Sequence, residues 1–189
     1  MSARRVTWLT VSAVCVLIAA SIGFRQGYGS ATVEPSPPPS VCGLLRPAVF
    51  DILVPRHGPL RIEQEAEHVA EPSWSGTSCL VEGPPGTAGT SLFVALTRYG
   101  RNGEGEGPRC VDRPGALVLP VNRTNHPVGI GDVGTYFFER GEQPDSHIVH
   151  LSSCLGTYGV YVRYEAGRVT APAIVAAATT VAREVWASL

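Results

Sequence analysis

A stretch without a single charged residue, at positions 6–24, constrains this chain more than any other feature of its sequence. Its nineteen residues, rich in Val, Leu, Ile and Ala, are just enough to cross a bilayer as a helix. The short segment 1–5 before it carries Arg4 and Arg5, which favours a cytoplasmic N-terminus. The sequence therefore predicts a single-pass anchor at residues 6–24 in the cell membrane, with the rest of the chain extracytoplasmic.

A cleaved signal peptide is the alternative interpretation of this segment. The small residues Gly29, Ser30 and Ala31 suit a signal peptidase, so that cleavage near Ala31 would release a secreted protein. The uncleaved anchor is favoured because the apolar core of a signal peptide is usually shorter, about 7 to 15 residues. Cys15 lies inside the apolar stretch and is interpreted as a small apolar residue of the membrane helix.

Residues 25–41 are predicted to be a linker. Its sequence at 34–40, EPSPPPS, is dense in proline and offers no apolar side chain to bury. Such a segment is extended and semi-rigid. It would hold a single extracytoplasmic domain, residues 42–189, away from the membrane.

Four cysteines frame that domain: Cys42, Cys79, Cys110 and Cys154. An even number in an oxidising compartment predicts two disulfides, and four cysteines allow three connectivities. Sequential pairing, Cys42 with Cys79 and Cys110 with Cys154, is preferred because it closes the two halves of the domain separately. The wide spacing excludes a typical cysteine-ligated zinc site, whose ligands come in close pairs.

Two helices are predicted, one near each end of the domain. Pro47 suits an early helix position, and apolar residues follow it at helical spacing until Pro55. Near the C-terminus, Thr170 is placed as an N-cap with Pro172 in the first turn. Beyond it, one apolar stripe is formed by Ile174, Ala178, Val181 and Val185.

Segments rich in β-branched and aromatic residues lie between these helices and are separated by Gly and Pro. They predict strands at residues 79–81, 91–99, 116–121, 135–139, 147–151 and 158–164. Their hairpin-like spacing favours an antiparallel sheet. The predicted fold is therefore α+β, an antiparallel sheet with a short N-terminal helix and a C-terminal helix packed on it, held by two disulfides.

Composition excludes several function classes. All fifteen basic residues are arginine, so no lysine is available for a P-loop, a Schiff base or a kinase ATP site. From Thr32 onward, 12 arginines face 16 acidic residues, a net charge of −4. Such a domain is not expected to bind nucleic acid, which requires cationic groups that neutralise phosphates. The absence of lysine and the abundance of Ala, Gly, Val and Pro indicate a GC-rich bacterial genome.

His147, His150 and Asp145 are the candidate site residues that the sequence offers. Side chains alternate along a strand, so the two histidines are expected on opposite faces, partly exposed, and not as joint metal ligands. Asp145 and His147 share a face, and a nearby serine would complete a hydrolase site. However, the chain has no Gly-x-Ser-x-Gly nucleophile elbow.

Three further segments are interpreted as solvent-facing structure. The glycine-rich segment 101–109 lacks the spacing of a nucleotide fingerprint and is predicted to be a hairpin tip. The acidic run, which consists of Glu63, Glu65, Glu67 and Glu71 with His68 inside it, is predicted to be a solvated face, with weak calcium contact as the alternative. The triplet 122–124, NRT, fits an N-glycosylation acceptor but is discounted in a bacterial protein.

Aromatic residues are concentrated in the predicted sheet: Tyr136, Phe137, Phe138, Tyr158, Tyr161 and Tyr164. Most are expected to be core residues or cross-strand pairs. Because neighbouring positions on a strand point to opposite faces, some must point outward. An exposed aromatic patch for an envelope ligand or partner is therefore a further hypothesis.

The domain also resembles a known group. Residues 42–48 (CGLLRPA), a second cysteine at Cys79, the turn at 128–132 (VGIGD) before an aromatic strand, and the Ala-rich final helix carry the likeness across 42–189. These features are similar to those of actinobacterial secreted lipoproteins of a domain family with no assigned function. The resemblance implies an extracytoplasmic location and no catalytic residues.

The expected function is a non-enzymatic binding or envelope-associated module that presents a sheet face or its loops to an envelope protein or a small ligand. The alternative is an extracytoplasmic hydrolase with an unrecognised site, such as one built on Asp145 and His147. A third hypothesis is a purely structural role in the envelope. The sequence predicts no cofactor, no metal ligand and no catalytic residue.

Overall fold

Two short helices, a run of strands and a final helix make up the part of the chain that the structure describes. The computed structural model describes residues 36–67, 74–84, 89–100, 109–112, 117, 122–141 and 145–189. Within these ranges, no helix is long and apolar enough to cross a membrane. The predicted anchor at 6–24, Cys15, residues 101–108 and nearly all of the strand predicted at 116–121 lie outside the described residues.

The elements follow the predicted order, and the α+β class is confirmed. The helices are α1 (Val41–Leu44), α2 (Pro47–Leu53) and α3 (Ala171–Ser188), and a 3-10 turn spans Cys110–Asp112. The strands are β1 (Arg61–Glu67), β2 (Trp74–Glu82), β3 (Ser91–Tyr99), β4 (His126–Pro127), β5 (Val133–Arg140), β6 (Ser146–Leu155) and β7 (Tyr158–Gly167).

Among the described residues, these seven strands form one antiparallel sheet in the order β1-β2-β3-β7-β6-β5-β4. Strand β3 pairs with the last strand, so the chain between β3 and β4 passes from the middle of the sheet to its edge. Strand β1 was not predicted, because its sequence RIEQEAE is polar and acidic. It stands at the end of the sheet order, and charged residues are characteristic of edge strands.

One face of the sheet, here called the helix face, packs against the helices. Alternate residues of β3 and β7 are buried there, including Leu92, Val94, Leu96, Val160 and Val162. The predicted stripe of α3 packs on them: Ile174, Ala178, Val181 and Val185 are each at most 1% exposed. The amphipathic pattern of α3 thus identified the helix that covers the sheet.

The start of α3 follows the prediction, with one difference. Thr170 is the N-cap and proline stands in the first turn, but the Thr170 side chain makes no capping hydrogen bond. Its backbone carbonyl accepts the hydrogen bond of Ile174 N at 3.1 Å. The helix is held instead by its packing on the sheet, which commonly outweighs local propensity.

Both disulfides have the preferred connectivity. Cys42–Cys79 joins α1 to β2 with a Cα–Cα distance of 5.2 Å. Cys110–Cys154 joins the 3-10 turn to β6 with a Cα–Cα distance of 5.4 Å. The first bridge therefore attaches the N-terminal helices to the sheet, and the second attaches the β3–β4 connection.

The last residues of the predicted linker lie against the helix face. The Thr77 hydroxyl donates to the Pro39 carbonyl at 3.0 Å and accepts from Val41 N at 3.2 Å. The Arg98 guanidinium donates to the Ser36 hydroxyl at 2.6 Å. These contacts extend the packed domain back to Ser36.

Candidate functional site

The face opposite the helices, here called the far face, carries the candidate site. It is formed by the alternate positions of each strand that point away from α3, and cross-strand partners share it. On β2 and β3 these positions include Trp74, Gly76, Ser78, Phe93 and Ala95. Aromatic and small side chains therefore alternate with the buried leucines and valines of the helix face.

A groove lies in the far face across β1, β2 and β3. Trp74 and Phe93 stand at its two ends, and the small residues Gly76, Ser78 and Ala95 lie between them. Its volume is about 140 Å³. The two aromatic side chains are half-buried, so each offers part of its ring to the groove.

Gly76 allows the Trp74 ring to lie over the groove floor. A Cβ atom placed at Gly76 would come within 3.2 Å of the Trp74 ring and 3.4 Å of the Leu96 carbonyl oxygen. The missing side chain thus provides the space that the indole occupies. The pattern W-x-G-x-S on β2, with F-x-A-x-T on β3, produces the groove by simple strand alternation.

Glu63 borders the groove from β1, where it pairs in register with Ser78. The nearest cationic residue of that strand, Arg61, is engaged by Glu82 at 3.4 Å instead. Within the described residues, no ion pair involves Glu63, and its side chain is exposed. The groove therefore has two aromatic ends and an exposed carboxylate at one side.

A row of rings crosses the far face from the groove to β5. Phe93 contacts Tyr161 with a ring-centroid separation of 6.1 Å, and Tyr161 lies 6.1 Å from His150. His150 stacks on Phe137 at 4.4 Å with an interplanar angle of 3°. The row holds Phe93, one end of the groove, in a continuous packed network.

His150 is hydrogen-bonded at both ring nitrogens. Nδ1 lies 2.6 Å from the Tyr161 hydroxyl, and Nε2 lies 3.0 Å from Oε2 of Glu139. An ionised carboxylate can only accept, so Nε2 carries the proton and Nδ1 accepts from the tyrosine. Burial lowers the pKa of His150, against the opposing effect of Glu139, and burial also raises the pKa of Tyr161. The neutral form of the histidine therefore suits this network.

This network predicts a pH dependence of stability. The pKa of His150 is lower in the folded state than its unfolded value of about 6.5, so the folded protein binds fewer protons at this site. The contribution of His150 to stability is therefore fully present above about pH 6.5 and declines as the pH falls. The groups that face it, Glu139, Tyr161, Arg163 and Arg123, include both signs of charge. The urea concentration at the midpoint of unfolding should therefore be lower at about pH 5 than at about pH 8.

The fall should be shallower in His150→Gln than in the unmodified protein. His147→Gln is the matched control, because His147 lies on the same strand with an exposed side chain and should keep the full dependence. Equal slopes for His150→Gln and the unmodified protein would contradict the assignment.

The two histidines lie on opposite faces of β6, as predicted. The expectation that both are partly exposed is wrong for His150, which is 8% exposed. The stacked Phe137 ring and the Tyr161 hydroxyl bury it, and neither contact is visible in the local sequence. Asp145 and His147, the pair of the alternative hydrolase hypothesis, are not in contact. Within the described residues, histidine–carboxylate contacts link His57 to Asp51 and His150 to Glu139.

A second cavity, of about 580 Å³, lies at the end of β5 and β6. It is lined by Arg123, Phe138, Glu139, Arg140, Ser146 and His147. Phe138 and Arg140 point to the opposite face from Glu139, so this cavity surrounds the end of the sheet and does not recess into one face. Arg123, Arg140 and His147 are exposed, which leaves it poorly enclosed.

The structure describes only part of the remaining predicted features. Glu63 is an exposed residue of β1, Asn122 and Thr124 are exposed, and His68 and Glu71 lie outside the described residues. Among the aromatic residues, Tyr164 and Phe137 are buried and the others are half-buried. Within the described ranges, no group of three His, Cys, Asp or Glu side chains could hold a metal ion.

Trp74, Phe93 and Gly76 were not recognised as functional residues from the sequence. The period-two alternation of large aromatic and small residues on adjacent strands was the available signal. Comparison of the chain with protein-family models, curated proteins and solved structures gave no significant match.

Proposed function

We propose that this protein is a non-enzymatic binding module, held by residues 6–24 on the outer side of the cell membrane, whose far face binds a small ligand. The groove between Trp74 and Phe93 carries the proposal. Half-buried aromatic rings above a floor of small residues are a typical arrangement for binding. The resemblance to secreted lipoproteins, taken as part of this proposal, agrees with a role at the envelope.

The arrangement of the domain supports this proposal. The helices occupy one face of the sheet and supply its core, so the groove residues are not required to bury that core. The two disulfides, Cys42–Cys79 and Cys110–Cys154, suit an oxidising, extracytoplasmic compartment. A purely structural protein would need neither the groove nor the exposed carboxylate beside it.

The test is ligand titration of the full-length protein labelled with 5-fluorotryptophan, in nanodiscs of phosphatidylglycerol, which carries no amine. Trp74→Phe and Trp186→Phe assign the resonances of the two domain tryptophans. The probes are N-acetylglucosamine, indole and choline. At least one is expected to shift the Trp74 resonance saturably, whereas the Trp186 resonance, whose indole donates to Ser153 behind the sheet, should stay unchanged.

Replacing Ala95 by leucine would fill the groove floor and is expected to abolish the shift. Ala177→Leu, a change of equal size on α3, is the matched control outside the groove. Failure of all three probes to shift the Trp74 resonance would contradict the proposed function.

A second candidate, an extracytoplasmic hydrolase, is favoured by the hydrogen-bonded chain Glu139–His150–Tyr161. It places a carboxylate, an imidazole and a hydroxyl in the order found in nucleophilic triads. The raised pKa of Tyr161 and its position outside both cavity linings weigh against it. The test is hydrolysis of p-nitrophenyl acetate, followed by the release of p-nitrophenol. An activity that is present in the unmodified protein and lost in Tyr161→Phe would favour this candidate over the binding module.

A further inference from the structure

We propose that the groove binds the quaternary ammonium group of a small soluble compound, with Trp74, Phe93 and Glu63 as its recognition residues. The inference rests on the proposed function and names the class of ligand. Three properties of the groove carry it: the aromatic ends, the carboxylate at its side, and its size.

The aromatic ends suit a cation. The face of an aromatic ring is electron-rich and attracts a cation within about 6 Å of its centre, and tryptophan does so most strongly. The Trp74 ring extends over Gly76, so it forms the wall of the groove at that end. Phe93 closes the other end and is held there by Tyr161. A cation in the groove would therefore have an aromatic ring at either end.

Glu63 supplies the complementary charge. It lies at the side of the groove, and within the described part of the chain its carboxylate has no cationic partner, since Arg61 pairs with Glu82. The chain from Thr32 onward carries a net charge of −4, with 12 arginines against 16 acidic residues. The local and the overall charge therefore both favour a cationic ligand over an anionic one.

The floor favours a quaternary over a primary ammonium. A primary ammonium is strongly hydrated and must replace its water with several hydrogen-bond acceptors. A quaternary ammonium has no N–H group, so its methyl groups can lie against Ala95 and the Trp74 ring without that loss.

The volume limits the ligand to one such group. Pockets for whole drug-sized ligands usually measure about 300 to 1,000 Å³, and this groove measures about 140 Å³. The groove therefore recognises a single compact head group, and the remainder of the compound would stay outside.

The test compares choline with 3,3-dimethylbutan-1-ol, a neutral molecule of the same shape with carbon in place of nitrogen. Each is titrated into the full-length fluorotryptophan-labelled protein in phosphatidylglycerol nanodiscs, and the Trp74 resonance is followed. The Kd of choline should be about tenfold lower, a preference that corresponds to roughly 1.4 kcal/mol.

Glu63→Gln should raise the Kd of choline about tenfold and leave that of dimethylbutanol unchanged. Phe93→Leu should weaken the choline preference while preserving an apolar groove end. Asp112→Asn is the matched control: it removes one exposed negative charge outside the groove and should change neither Kd.

Equal affinities for choline and dimethylbutanol, or an unchanged choline Kd in Glu63→Gln, would overturn the inference. If N-acetylglucosamine or indole shifts the Trp74 resonance and choline does not, the inference fails and the proposed function stands. If no probe shifts that resonance, both fail.

Discussion

Replacing Cys42 and Cys79 together by alanine is expected to lower the free energy of unfolding by about 4 kcal/mol. The two cysteines are 37 residues apart, so the bridge removes a large loop-closure entropy from the unfolded chain. Both cysteines are also buried in the core, and the smaller alanine side chains leave part of that space unfilled. The loss is a large fraction of the 5 to 15 kcal/mol that typically stabilises a domain.

Urea unfolding of the oxidised full-length protein and of the double variant measures this loss. The mass of the variant should rise by two hydrogens on reduction, which verifies that Cys110–Cys154 is intact. The matched variant, Cys110→Ala with Cys154→Ala, removes a bridge of similar span, 44 residues, and should cost a similar amount. A loss below about 1 kcal/mol in the first variant would contradict the loop-entropy argument.

The features that sequence predicted best are those set by local patterns. The strand at 91–99 was predicted with its observed bounds, because alternation and β-branched residues mark it clearly. The apolar stripe of the final helix identified its buried face. The disulfide pairing was preferred on loop arrangement and is confirmed, although three connectivities were open.

The features that sequence missed depend on strand neighbours far apart along the chain. His150 is buried by Phe137 and Tyr161, which stand on the two adjacent strands. The groove likewise requires β1, β2 and β3 in their observed register, with Glu63 beside Ser78. Neither the pairing order nor the register can be read from alternation alone, since one residue of slip would send each side chain to the other face.

The two faces of the sheet separate the hydrophobic core from the proposed binding groove. Helix-face residues such as Leu92 and Val162 are fully buried and form the core with Ile174 of α3. The groove residues Trp74 and Phe93 are half-buried on the opposite face. Substitutions in the groove are therefore expected to change binding more than folding, which is what makes the titrations above interpretable.

Replacing Gly131 by alanine is expected to destabilise the domain by about 3 kcal/mol. Its φ of +67° lies in the left-handed region that side chains other than glycine disfavour. A Cβ atom there would also lie 2.3 Å from the Cys154 carbonyl oxygen, which is backbone and cannot rotate away. That oxygen accepts the hydrogen bond of Asp132 N at 2.7 Å, so relief of the clash would break the turn.

Two other glycines separate the causes of this loss. Gly156→Ala tests the positive φ alone, since φ is +56° there and no atom lies within 4 Å of an added Cβ; it should cost about 1 kcal/mol. Gly129→Ala, in the same turn as Gly131 with open space around its Cβ, should change stability by less than about 0.5 kcal/mol. Urea unfolding of the three variants should give the largest loss of stability for Gly131→Ala and the smallest for Gly129→Ala. If Gly131→Ala loses no more stability than Gly156→Ala, the backbone of the turn can move away from the Cys154 carbonyl at little cost. In that case the contact with the Cys154 carbonyl would not be what fixes glycine at position 131.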